Sequence, residues 1–96
     1  MPVEHMVWIK FKESVGDEEI DEHLAGLGTL SDCVPDITAL RLGENFTNRA
    51  AGYQYGLIVT FKSRRALDQY LSHPEHVAVA DPLKRDAELM VMDFEY

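Results

Sequence analysis

With one cysteine in 96 residues, Cys33, the chain can form no intrachain disulfide, so its stability must come from burial and hydrogen bonding. A lone thiol suits a reducing compartment, and the expected location is cytoplasmic. Cys33 has no basic neighbour to activate it and reads as a small buried side chain. Basic residues are also scarce. Nine Lys and Arg stand against 17 Asp and Glu, giving a formal charge of −8. Such a surface repels phosphate backbones, which argues against nucleic acid as a partner. Arg64-Arg65 is the only adjacent basic pair and reads as a solvated helix face; it is too little to hold an anionic membrane. No apolar run approaches membrane-spanning length, and Met1-Pro2-Val3-Glu4-His5 lacks the basic start and apolar core of a signal peptide. The triplet Asn45-Phe46-Thr47 fits a glycosylation acceptor, a pattern that matters only in a secreted chain.

What is present is the balance of one ordinary globular domain over residues 1–96: 46% apolar and 27% charged, long enough for one core and too short for two. From Val3 to Phe11 the odd positions are Val3, His5, Val7, Ile9 and Phe11, the period of a strand, while Met6 and Trp8 on the even side make the other face apolar too. Acids at Asp17, Glu18 and Glu19 suit the positive end of a helix, and Ile20, Leu24, Leu27 and Leu30 continue it as one stripe to near Ser31. With Asp21 and Glu22 these acids form a solvated face that lacks the glycine and spacing of a calcium loop. His23 flanks the stripe and receives no role.

Ile37 to Leu42 reads as a strand, Gly43 to Gly52 as a loop, and Tyr53 to Phe61 as an alternating strand. Ser63 caps a helix in which Ala66, Leu67, Tyr70 and Leu71 fall on one face. His73 precedes a proline and leaves the helical region; Pro74-Glu75-His76 then opens a short helix through Ala80. Leu89 to Phe94 makes the last strand. The order strand, helix, strand, strand, helix, strand is the split βαβ arrangement of ferredoxin-like α+β folds, a four-stranded antiparallel sheet with its helices on one face. The other face would carry Met6, Trp8, Ile58, Met90, Met92 and Phe94, more apolar surface than a monomer leaves in water. Burial against a second copy is the expected remedy.

Three segments carry a family resemblance: Val3-Glu4-His5-Met6-Val7-Trp8-Ile9-Lys10-Phe11-Lys12, Gly52-Tyr53-Gln54-Tyr55 with Val59-Thr60-Phe61, and Tyr70-Leu71-Ser72-His73-Pro74-Glu75-His76-Val77. Over nearly its whole length the chain resembles the stress-responsive dimeric α/β-barrel (Dabb) domain family. The resemblance implies a homodimer whose two sheets face each other across a barrel. The family includes plant stress proteins without a defined reaction and a plant polyketide cyclase that closes a ring without a cofactor. His76, Tyr70 and His5 carry over to that cyclase's pocket, whereas one further pocket histidine falls at Tyr55, so its catalytic set is incomplete here.

The residues themselves suggest a pocket between sheet and helices. His5 shares its face with Val7, Leu57, Val59 and Tyr55, and a buried imidazole needs a hydrogen-bond partner, for which Tyr55 is the candidate; a satisfied core histidine is the alternative. His76, in the first turn of a helix, would stay neutral and accept a proton, with Tyr70 orienting it or donating its hydroxyl; a tie that fixes the turn between two helices is the alternative. His73-Pro74-Glu75-His76 invites a metal, but the proline bend separates the rings and no cysteine joins them, so no metal is expected. No cofactor is expected either, and nothing in the spacing marks a haem pocket. The function expected is a homodimer binding a small aromatic or polyketide-like molecule. The alternative is a cofactor-independent enzyme, cyclase- or monooxygenase-like, with His76 and Tyr70 as its acid/base pair.

Overall fold

A computed structural model describes residues 1–96. Its elements are β1 (Val3–Phe11), α1 (Asp17–Gly28), α2 (Leu30–Cys33), β2 (Ile37–Glu44), β3 (Tyr55–Phe61), α3 (Arg64–Ser72), α4 (Pro74–Asp86) and β4 (Ala87–Glu95). The sheet is antiparallel throughout, in the order β2-β3-β1-β4, which is the ferredoxin-like arrangement. The molecule is only 17 Å through its thinnest direction, room for one sheet and one layer of helices.

The period of two in β1 decides the architecture. Val3, His5, Val7, Ile9 and Phe11 are all buried beneath the helices, together with Leu57, Val59 and Phe61 of β3. Leu27, Leu30, Leu67, Tyr70 and Leu83 close the core from the helix side. Each helix starts as its sequence dictates. Glu19 accepts from the backbone N–H of Gly16 at 3.3 Å, the Ser63 hydroxyl accepts from Ala66 at 3.2 Å, and Pro74 occupies the first turn of α4, where its missing N–H costs nothing.

Two expectations are corrected. The helix opened at Pro74 does not stop at Ala80 but runs to Asp86, through Pro82, because Ala80 and Leu83 are both drawn into the core and that burial outweighs one lost backbone hydrogen bond. Cys33 is exposed: the single turn of α2 points Leu30 and Val34, four residues apart, inward and leaves Cys33 outside. The second and fourth strands are also longer than the apolar pattern alone indicates, extending to Glu44 and from Ala87 to Glu95.

On the face without helices the register lines side chains into rungs. Arg41, Ile58, Met6 and Met92 form one rung, and Gly43, Gly56, Trp8 and Met90 the next. Trp8, Met90, Met92 and Phe94 are 43%, 51%, 62% and 45% exposed. No helix is long and apolar enough to cross a membrane.

Candidate functional site

The helix-covered face brings three aromatic rings into one stack. Tyr70, in the last turns of α3, lies with its ring centre 5.8 Å from that of His5 on β1, edge to face, and 4.2 Å from that of His76 in the first turn of α4. Phe61 backs Tyr70 at 5.0 Å. The bend at His73-Pro74 makes this contact possible. His73 ends α3 in an extended conformation and begins α4, its own Nδ1 accepting from the backbone N–H of Glu75 at 3.1 Å. His73 is thereby engaged as a cap, away from His76. No three His, Cys, Asp or Glu side chains gather around a common point that could hold a metal ion.

Hydrogen bonding fixes one nitrogen of each histidine and leaves the other free. Nδ1–H of His76 donates to the Leu71 carbonyl at 3.1 Å, so the lone pair of the neutral ring resides on Nε2. Burial pushes the pKa of His76 below the ordinary imidazole value, against the opposing pull of the hydrogen bond to the Leu71 carbonyl; smaller electrostatic effects of His5 and Lys84 lower it further and Asp81 raises it. Nδ1–H of His5 donates to the carboxylate of Asp93, which β4 places directly across from it. Tyr70 is 1% exposed, and burial pushes its phenol up to about 12. It therefore remains a hydroxyl donor at any physiological pH.

Neither the Tyr70 hydroxyl nor Nε2 of His5 bonds within the chain, yet no fully buried side-chain nitrogen or oxygen is left unpaired. The small exposed part of each side chain must therefore include that atom. Both atoms therefore touch solvent-accessible surface. Val91, on the helix side of β4 beside Val7, is 51% exposed. A cleft of about 450 Å³ between the start of α3 and the end of β4 has Val3, Leu67 and Asp93 in its wall.

Tyr55 stands apart from this cluster. It pairs with Ile9, whereas His5 pairs with Val59, so the two are four residues apart along the sheet, roughly 13 Å at strand rise. Its ring packs edge-on to Phe11 at 5.9 Å, and burial, followed by Glu44, Asp21 and Asp17, raises its pKa. The partner of His5 is Asp93 and not Tyr55. Val7, Leu57 and Val59 are buried beside His5 as core residues. His23, left without a role by the sequence, bonds Asp86 at 2.7 Å and ties α1 to the end of α4. Asp93 is the site residue that the sequence does not disclose, because its only signal is the register of β4 against β1.

A second concavity, about 430 Å³, lies at the other end of the sheet, over Gly43 and Gly56 and between Trp8, Arg41 and Tyr53. It shares nothing with the histidines.

The stress responsive A/B barrel domain model matches residues 3–96. The chain belongs to this family. It is similar to the stress-response A/B barrel domain-containing protein HS1 of Arabidopsis thaliana, 32% identical over 82% of this chain and 74% of that protein. It is also similar to olivetolic acid cyclase of Cannabis sativa, 28% identical over 98% of this chain and 96% of that protein. Among solved structures, a dimeric ferredoxin-like protein of unknown function from Jannaschia sp. CCS1 is 28% identical, covers 100% of both chains and superposes with a TM-score of 0.86. The Jannaschia structure shares the sheet and helix layer described above; what each of these relatives acts on is a property of that relative.

Proposed function

We propose that this chain is a homodimer that binds a small carbonyl compound with an aromatic or polyketide-like body between its sheet and helices, at His5, Tyr70 and His76. The single observation that carries the reading is the Tyr70–His76 stack, with a hydroxyl and an imidazole nitrogen unpaired within the chain and facing space reachable from solvent. A donor and an acceptor side by side at the edge of an apolar core suit a ligand with one polar end and one apolar body. Self-association is supported by the exposed Trp8, Met90, Met92 and Phe94 and by the dimeric relative from Jannaschia.

A second reading, catalysis without a cofactor, is favoured by the state of His76. Its neutral Nε2 can take a proton from the carbon next to a carbonyl, while the Tyr70 hydroxyl donates to the enolate oxygen that forms. The new carbanion can attack a second carbonyl of the same molecule, forming a carbon–carbon bond, and the resulting alkoxide takes up the proton. The cyclase relative from Cannabis sativa lends this reading weight, and Tyr55, distant from the stack, takes no part in it.

The experiment separates binding from chemistry. Benzoylacetone titrated into isotope-labelled protein should shift the ring signals of His5, Tyr70 and His76; signals that stay in place at saturation would refute the pocket. Deuterium uptake at the methyl carbon of acetophenone should be accelerated by the protein and lost in His76→Ala. Binding without acceleration would leave the protein a binder and discard the catalytic reading.

A further inference from the structure

The 430 Å³ cleft lies at a corner of the face without helices, where the edge strand β2 and the start of β3 meet the loop that joins them. Its floor is the backbone of Gly43 and Gly56, cross-strand partners in the rung that continues to Trp8. Glycine inside a strand costs stability and packs nothing; it often marks a place where a ligand or another backbone comes close. Neither glycine has a positive φ, and a Cβ on either would meet no atom within 4 Å. Backbone conformation and packing within the chain therefore do not ask for glycine here. What the pair leaves is a bare patch of peptide with room for a flat ring.

The walls differ in chemistry. Trp8 and Tyr53 meet edge to face at 6.3 Å, while Arg41 and Ile58 form the next rung along the strands. Arg41 makes no ion pair in its own chain. Nor does Lys10, the next residue beyond Trp8 on this face: it extends its ammonium over Gly52, although Glu88 is its cross-strand neighbour on β4. The one acid at the rim, Glu44, pairs in register with Tyr55 and so belongs to the helix side of the sheet, where it helps to raise the Tyr55 pKa. Glu4 stands on the cleft's face but four residues from Trp8, bonded to the Thr60 hydroxyl. On a chain of net charge −8, this corner presents a free guanidinium beside two aromatic rings.

We propose that the cleft is a second ligand site, for a planar aromatic carboxylate. The ring lies on the peptide planes of Gly43 and Gly56 against Trp8, and the carboxylate meets the Arg41 guanidinium, whose fork matches it. A neutral ring gains the stacking alone, so the charge at Arg41 sets the ligand class. The site is independent of the histidine pocket, which lies on the other side of the sheet. It is also set apart from Met90, Met92 and Phe94, the apolar side chains of β4 at the opposite edge of the sheet.

Trp8 is the only tryptophan in the chain, so its indole N–H gives a single nuclear magnetic resonance signal that reports on this cleft. Cinnamate titrated into the isotope-labelled full chain should shift that signal saturably and bind about tenfold or more tightly than cinnamamide, its uncharged analogue. Arg41→Gln should erase the preference for the acid. Gly43→Leu fills the floor without touching its own chain and should abolish the shift, with a circular dichroism spectrum matching the wild type. A Trp8 signal that stays in place up to the solubility limit of cinnamate would overturn the site, and so would equal affinity for the two probes or a shift that survives Gly43→Leu. Binding seen only in the Met92→Glu variant, and only where that variant is monomeric, would mean that a partner's side chain fills the cleft, which also overturns it. None of these results bears on the histidine pocket, which is read from the ring signals of His5, Tyr70 and His76.

Discussion

Tyr70 and His76 belong to different helices, yet their rings lie 4.2 Å apart because only the His73-Pro74 bend separates α3 from α4. The Tyr70 ring is core, packed on Phe61 and His5, while its hydroxyl has no hydrogen-bond partner within the chain. The two roles come apart by mutation. Tyr70→Phe keeps the stack and loses only the donor, so the thermal midpoint should move by no more than a few degrees, while turnover of an accepted substrate falls about a hundredfold. Tyr70→Ala should cost about 3–5 kcal/mol in denaturant unfolding, as large aromatic deletions do. A Tyr70→Phe variant with full turnover would place the donor elsewhere.

His76 has a pKa held below the ordinary imidazole value of 6.5, chiefly by burial. A base-dependent rate should then stay level down to a pH below 6.5 and fall tenfold per unit beneath the folded-state pKa. Stability follows the same group. Between the two pKa values the unfolded chain binds the proton and the folded chain does not, so this contribution is complete above pH 6.5 and is lost as pH falls toward the folded value. Urea unfolding at a series of pH values should show that slope in the wild type and a flatter one in His76→Gln. Equal slopes would mean that His76 titrates alike in both states.

Asp93 holds His5 from across the sheet, with the His5 side chain 6% exposed. Asp93→Ala leaves a buried Nδ1–H without its acceptor, which should cost about 1–3 kcal/mol and lower the thermal midpoint by several degrees. His5→Phe in the same background removes the orphaned donor and should recover part of the loss. If Asp93→Ala unfolds like the wild type, the carboxylate does not hold the ring in solution.

Much of this is legible in the sequence, and the limits have physical causes. The alternation in β1 reveals both faces of the sheet, because strand side chains alternate whatever surrounds them. Tyr70 and His76 lie six residues apart, and their encounter follows from local turn chemistry at Pro74. The Asp93–His5 bond spans 88 residues and depends on the register of β4, which the sequence leaves undetermined to within a rung or two. Tyr55 illustrates the same limit from the other side: the correct face of the correct strand, but too far along it to reach His5. The run of α4 through Pro82 and the outward position of Cys33 were both decided by which neighbours needed burial, information that exists only once the core is assembled.

The uncovered face gives the last prediction. Met92 is 62% exposed and stands in the central rung beside Met6 and Ile58, so in a dimer it moves from water into an apolar interface. Met92→Glu would force a carboxylate into that interface, at a cost of several kcal/mol unless it is protonated or paired. In the isolated protomer the same side chain would remain in water at little cost. The variant should therefore run as a folded monomer at concentrations where the wild type is a dimer. Its thermal midpoint should also stop depending on protein concentration, since mass action raises the midpoint only of an assembly that unfolds with dissociation. A Met92→Glu protein that still sediments as a dimer would mean that association uses some other surface, and the exposure of Trp8, Met90 and Phe94 would then need a different occupant.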